Sequence, residues 1–322
     1  MSVEFAEKTT HEKTTHKVRV SASAGVVYAL FADAVNWPLY FSPSVHVERL
    51  EFDGERERLR TWCFLDGELK SWTSWRRLDP VKRRVEFRQE LPAPPLSALG
   101  GIVTVRSDGP DSCELELVYD FSVVDGLPAD VAWAERAAEG HTRSQLSGLK
   151  AIAERWARLD ELILTFEESV HVNGPAELVY DFLYRAADWP EMVPHVTRVD
   201  LTEDEPGVQR MSMETLTEYG TQAADSVRIC FPHAERIIHK QVTTPALIQA
   251  HTGEWSVVPD ERGVTVIAQH TVVLREEDIA TELGEHATLD HARRRVREAI
   301  GRNSRVLLAH AKQHAETAVR ML

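Results

Sequence analysis

The 322-residue chain is short of several things at once. It has 3 cysteines, Cys63, Cys113 and Cys230, widely spaced and odd in number, which argues against a disulfide framework or a CxxC zinc site. Such scarcity suits a reducing cytoplasm. No apolar run approaches the roughly 18 residues that a membrane span needs. The polar stretch from Met1 to Lys17 lacks the apolar segment of a secretory signal, so none is expected. Positive charge is scarce too: 37 Lys and Arg against 51 Asp and Glu give a net charge of −14, which repels phosphate backbones and disfavours general nucleic-acid binding. What remains is ordinary for a folded chain, with 43% hydrophobic and 27% charged residues, so disorder and collagen-like repeats are excluded. The length exceeds a usual domain of about 100–150 residues, and two domains are expected.

The chain repeats itself. Val27-Tyr28 precedes Trp37-Pro38 as Val179-Tyr180 precedes Trp189-Pro190, at an offset of 152 residues. The offset persists through Ser74 and Ser226, Arg76 and Arg228, Pro80 and Pro232, Arg84 and Arg236, Gln89 and Gln241, and Gly101 and Gly253. It grows to 162 at Leu146 with Leu308 and Lys150 with Lys312, which places the additional residues around Arg275 to Leu289. Two copies of one domain are therefore expected, over 15–158 and 162–322, with almost no linker.

Each copy opens with a strand in which Val18 and Val20 alternate with polar neighbours. Short helices are expected at Ala24 to Ala32 and around Trp37 to Phe41. Strand-like runs follow, separated by Asp53-Gly54, Asp66-Gly67, Asp79-Pro80 and Asp108-Gly109-Pro110. One long helix closes each copy, from Ala129 to Leu159 and from about Leu289 to Arg320. Segregated strands and helices give an α+β layer, a curved antiparallel sheet around a long C-terminal helix, which is the helix-grip fold.

Alternation puts Trp72, Ser74 and Arg76 on one strand face and Thr73, Trp75 and Arg77 on the other. Ser74 and Arg76 recur as Ser226 and Arg228, whereas Trp75 and Arg77 become Val227 and Ile229. A shared Ser-x-Arg is better explained by a shared cavity than by solvent, the alternative being a surface arginine beside a turn. Similarly Val85, Phe87 and Gln89 are expected to face inward, with counterparts Ile237, His239 and Gln241, which makes His239 a cavity candidate and proton carrier or else a hydrogen-bonded core histidine. On the last helix Val296, Ile300, Asn303 and Leu307 share one face, so Asn303 is expected as a buried amide in an apolar stripe, with His141 at the matching place. The apolar loops at Leu91 to Leu96 and Thr244 to Ile248 suit either a lid or packing. His310 and His314 have i, i+4 spacing but lack HExxH, so a solvated face is preferred to zinc. No GxGxxG after a strand, P-loop or GxSxG elbow is present.

Taken together, the duplicated Val-Tyr…Trp-Pro segments, Trp72-Thr73-Ser74-Trp75-Arg76, Asp225-Ser226-Val227-Arg228, Thr252-Gly253-Glu254-Trp255 and Asn303 resemble the di-domain aromatase/cyclases of bacterial type II polyketide synthases. These belong to the START or Bet v 1-like superfamily, and the likeness covers essentially the whole chain. It implies two tandem helix-grip domains and intramolecular aldol closure of a poly-β-ketone, then loss of water. The substrate would hang on the phosphopantetheine of an acyl carrier protein, with other synthase subunits as partners. The resemblance assigns catalytic roles to Arg76 with Ser74 and Arg228 with Ser226. Trp37, Trp72, Trp189, Trp255, Asn303 and His141 would bind substrate. His239 is the candidate proton donor for dehydration. No metal, nucleotide or redox cofactor is implied. The first copy lacks the asparagine and the Trp255 equivalent, and the second has Ala224 for Trp72. The basic runs Lys82 to Arg84 and Arg293 to Arg297 are candidate carrier-docking patches or solvated faces. A non-catalytic polyketide or lipid carrier is the alternative.

Overall fold

The computed structural model describes residues 10–65, 67–217 and 220–320, without the side chains of Thr10, His11, His141, Thr217 and Arg320. They form two compact units, Met1–Leu159 and Asp160–Leu322. In the first, β1 (Thr10–Val20) leads into α1 (Ala24–Ala32) and the single turn α2 (Trp37–Tyr40). Then come β2 (Ser44–Phe52), β3 (Arg56–Leu65), β4 (Glu68–Asp79), β5 (Arg84–Gln89), β6 (Leu96–Gly109) and β7 (Ser112–Val123). Two helices follow, α3 (Pro128–Ala153) and α4 (Trp156–Leu162). The last residues of α4 already belong to the second unit, which continues with β8 (Ile163–Val172), α5 (Ala176–Tyr184) and α6 (Trp189–Met192). Its other strands are β9 (Val196–Glu205), β10 (Val208–Thr217), β11 (Gly220–Phe231), β12 (Arg236–Gln241), β13 (Ile248–Asp260) and β14 (Gly263–Leu274). It ends with α7 (Ile279–Leu283) and α8 (Leu289–Arg320).

Each unit has one 7-stranded antiparallel sheet, ordered β1-β7-β6-β5-β4-β3-β2 and β8-β14-β13-β12-β11-β10-β9. The first strand of each unit returns to pair with the last, and the C-terminal helix packs on that sheet. This is the helix-grip architecture, twice. Period-two patterning produces it: Cys113, Leu115, Leu117, Tyr119 and Phe121 of β7 are buried while Glu114 and Glu116 are not. The N-terminus of α1 is capped by Ser23, whose Oγ accepts from the Val26 amide. Proline in the first turn of α2 and α6 needs no donor there, which explains the repeated Trp-Pro.

Two expectations need correction. The first closing helix is not continuous to Leu159; it stops at Ala153, and α4 restarts after a turn at Glu154-Arg155. Asn303 does not interrupt the buried stripe of α8; it is exposed, and Ser304 is the buried polar residue. The stripe runs Ala292, Val296, Ile300, Ser304, Leu308, in steps of four. At 3.6 residues per turn each such step drifts by about 40°, carrying the buried face away from Asn303.

The additional residues of the second unit form α7 and its flanks. Arg275 binds the loop before β13, its side chain donating to Ala246 O at 3.1 Å and its amide to Leu247 O at 2.9 Å. Ile248 packs with Ile279 and Val296, and Leu247 and Leu283 join them, so this apolar loop is packing. In the first unit, Leu91 of the matching loop is 89% exposed.

Candidate active site

Both arginines are interior. The Arg76 side chain is 2% exposed and Arg228 is fully buried. Each reaches from the inner face of its sheet to the end of the first helix of its unit. Arg76 Nη2 donates to Phe31 O at 2.9 Å and Ala32 O at 3.2 Å, the last carbonyls of α1. Arg228 does the same at the end of α5, with Nη2 donating to Leu183 O and Nη1 to Tyr184 O at 3.4 Å. Helix C-termini leave such carbonyls unpaired and carry partial negative charge, so a cation is favoured there. An indole covers each guanidinium: Trp37 lies 5.0 Å from Arg76, while Trp189 and Trp255 lie 5.4 and 5.7 Å from Arg228.

The two arginines differ in counter-charge. Arg76 Nη1 sits 3.2 Å from the fully buried carboxylate of Glu57, which also accepts from Arg49 Nε at 2.9 Å. The repeat offset turns Glu57 into Gln209, and no carboxylate among the described residues is within ion-pair reach of Arg228. Burial pulls Arg76 down to about 10, with Glu57 opposing, and burial also lowers Arg228. Both remain cations at neutral pH.

Ser74 and Ser226 are buried one strand step away. Ser226 Oγ, Arg228 Nε, His239 Nδ1 and Trp255 Nε1 are all buried without a hydrogen-bond partner in the protein. These four belong to adjoining strands: Arg228 pairs in register with His239, whose ring stacks on Trp255 at 4.4 Å. In the first unit Arg76 Nε and Trp37 Nε1 are likewise unpartnered. More than 90% of buried polar groups in folded proteins are satisfied, so this local concentration of orphans leaves donors and acceptors free for a ligand, an ion or ordered water.

The remaining expected residues separate. Trp189 is buried with its Nε1 donating to Phe182 O at 3.0 Å, so its polar edge is already used. Trp37 and Trp72 are half-buried. Asn303, on the solvent face of α8, stands apart from this interior. The side chain of His141 lies outside the described residues. His314 packs against Phe182 at 5.5 Å, which is a contact and not a solvated face.

The sequence reading missed His251, His270 and Ser304. His270 Nε2 lies 2.7 Å from Ser304 Oγ, His251 Nε2 lies 3.1 Å from His270 Nδ1, and His251 Nδ1 lies 2.9 Å from Gln241 Oε1. His239 joins this cluster edge-on, with ring centroids 5.5 and 5.8 Å from His251 and His270. Its place is prepared by Gly253, where a Cβ would lie 2.3 Å from the imidazole Cε1. Burial, then the neighbouring histidines, holds His239 far below the usual imidazole range. Burial lowers His251 to about 3 and His270 to about 4. At neutral pH all three are uncharged. His239 therefore cannot begin as the acid for a leaving hydroxyl; it can accept a proton first. The available signal was parity, since His270 continues the buried series Val264, Val266, Ala268.

A family model described as polyketide cyclase/dehydrase and lipid transport matches residues 11–154 and again 164–316. The chain belongs to this family. It is 39% identical over 317 residues to the actinorhodin polyketide synthase bifunctional cyclase/dehydratase of Streptomyces coelicolor, covering 95% of this chain and 98% of that one. It is 37% identical over 318 residues to the granaticin polyketide synthase bifunctional cyclase/dehydratase of Streptomyces violaceoruber, covering 98% of each. Among solved structures, the di-domain ARO/CYC BexL from the BE-7585A biosynthetic pathway shares 40% identity with a TM-score of 0.87, over 95% of this chain and 99% of that chain. The likeness to these cyclase/dehydratases therefore spans both helix-grip units. No helix among the described residues is long and apolar enough to cross a membrane.

Proposed function

We propose that this polyketide cyclase/dehydratase closes a ring in a carrier-bound poly-β-ketone by aldol addition and then removes water, using the interior faces that hold Arg76 and Arg228. The observation that carries the reading is the set of unsatisfied polar atoms around those arginines. Arginine stays protonated, so its spare Nε–H suits donation to the oxyanion of an enolate or of the attacked ketone. Because the rest of the guanidinium is held by a helix end, the donor needs no reorganisation when charge develops. Ser74 and Ser226 are placed to orient a carbonyl.

Dehydration follows from the neutral state of His239. Its imidazole takes a proton from the carbon next to a ketone, leaving an enolate that Arg228 stabilises. The resulting imidazolium returns that proton to the β-hydroxyl, the C–O bond breaks, and water leaves. One group thus serves as base and then as acid. Positioning matters as much, since holding one carbon pair together selects the ring formed.

For the carrier protein, a groove of about 630 Å³ carries Arg293, Arg294, Arg297 and Arg305 beside Glu168, Asp290 and Glu298, so it is only weakly basic, and Arg305 already pairs with Glu168 at 2.7 Å. Arg293 is partly committed, donating to Ile163 O at 2.9 Å, and Arg297 lies 4.7 Å above Phe166. Lys82 and Arg84 of the other patch already pair with Asp79 and Glu86.

The test is product profile and single-turnover rate for Arg76→Ala, Arg228→Ala and the double variant with a carrier-bound poly-β-ketone. Losing one oxyanion donor costs about 100–1,000-fold in rate. Different shunt products from the two single variants would indicate successive action by the two units. A folded double variant with native products at the native rate would refute the enzymatic role of both arginines and favour a carrier.

A further inference from the structure

The three interior histidines of the second unit lie on three strands, His239 on β12, His251 on β13 and His270 on β14. Each offers one ring nitrogen, and the three nitrogens lie within 4.8 Å of one another. In a tetrahedral site with metal–nitrogen bonds of about 2.0–2.1 Å, ligand nitrogens stand about 3.3 Å apart. The His251–His270 pair, at 3.1 Å, is already near that spacing. A nitrogen of His239 lies within 4.8 Å of both, so it must close by up to about 1.5 Å to reach that spacing, and its Nδ1 has no partner to give up.

Two of the three outer ring nitrogens, those of His251 and His270, are anchored as metal-bound imidazoles usually are. Gln241 Oε1 accepts from His251 Nδ1–H, which leaves the lone pair on Nε2. Ser304 Oγ is within 2.7 Å of His270 Nε2 and can either donate to it or accept from it. In the metal-free chain one proton lies between His270 Nδ1 and His251 Nε2. If it moves to His270 Nε2 and the serine hydroxyl turns to accept, both facing nitrogens present lone pairs with no net proton lost. The first unit has none of this: the matching residues are Phe87, Leu99 and Tyr119. All three ligating side chains are thus present together in one copy and absent together in the other.

We propose that His239, His251 and His270 form a binding site for one divalent transition-metal ion of the zinc class. No sequence motif announces it, because the ligands are not at helical or loop spacing. Metal binding would occupy the lone pair that the dehydration step uses on His239, so occupancy inhibits dehydration. Only this inhibitory consequence rests on the proposed function; the binding is tested without it.

The experiment uses the full chain, stripped with a chelator and titrated with Co2+, read by the visible absorption of the bound ion. One equivalent per chain is expected, displaced by Zn2+. His251→Leu/His270→Tyr, which installs the residues of the first unit, should abolish the signal, while His310→Ala/His314→Ala should retain it. Ser304→Ala keeps every ligand and should weaken binding about 10–100-fold. Circular dichroism and thermal melts establish that each variant is folded. Failure of the folded wild-type chain to bind Co2+, or equal binding by the folded His251/His270 variant, would overturn the site. Binding without loss of dehydration would retain the site and refute the proton role of His239.

Discussion

The two units share a backbone plan and differ in how they treat charge in the interior. Around Arg76 the first unit encloses a salt bridge to Glu57 and lines the adjoining strands with Phe87, Leu99 and Tyr119. Around Arg228 the second replaces the acid with Gln209 and the apolar trio with histidines. One copy pairs its cation directly; the other keeps an acid, Glu203, at longer range on Gln209 and sets uncharged bases beside the arginine. A duplicated fold can thus keep its frame and divide its electrostatics. On the proposed function, Arg228 would be the stronger oxyanion donor, although the first copy has the fuller Trp-x-Ser-x-Arg sequence.

The sharpest contrast is expected in acid. His251 and His270 have folded values of about 3 and 4 against 6.5 when unfolded. Between those limits the unfolded chain holds more protons, so stability falls as pH drops below about 6.5. In metal-free protein, hydrogen exchange should show the second unit opening before the first over this range. Equal acid lability, or no change in His251→Leu/His270→Tyr, would remove the distinction.

Arg76→Ala should next separate the copies by stability. It strands a fully buried carboxylate with only the partly exposed Arg49 to hold it. Breaking a buried pair costs about 3–5 kcal/mol, whereas uncapping two carbonyls by Arg228→Ala costs about 1–3 kcal/mol. Denaturant titration of both variants compares them. A smaller effect follows for Gln209→Glu, which brings a carboxylate to Arg228 but also removes the amide that donates to Glu203 at 2.8 Å: in protein shown to be folded, the ring-forming rate should fall about tenfold, equivalent to about 1.4 kcal/mol of barrier. An unchanged rate would mean that the charge of Arg228 is not used.

The smallest effects concern α8. Ser304→Ala removes a buried hydrogen bond to His270 and should cost about 1–3 kcal/mol. Asn303→Ala, on the exposed face, should stay within about 0.5 kcal/mol and leave turnover alone.

Those neighbours also show where sequence was sufficient. The repeat, the strand parity and the shared Ser-x-Arg are enough to place both arginines inside. Parity is robust because a strand alternates strictly. A helical stripe drifts, and a single-step misreading chose Asn303 over Ser304. The Glu57 and Gln209 difference was equally visible at the repeat offset, but its meaning depends on pairing between β3 and β4, which places Glu57 opposite Arg76. The histidine cluster needed the register of three strands, which no local pattern supplies. The break after Ala153 left no proline or glycine to announce it.

Gly101 and Gly253 each leave the sheet bare beneath a ring, Phe87 in one unit and His239 in the other, and a methyl group at either would intrude to within 2.6 or 2.3 Å of that ring. The vacancy makes the ring above it interchangeable. Chemistry can be rewritten there by one substitution, without disturbing the ladder below. Phe87→His is accordingly the most economical graft for transferring a basic side chain from one half of the molecule to the other.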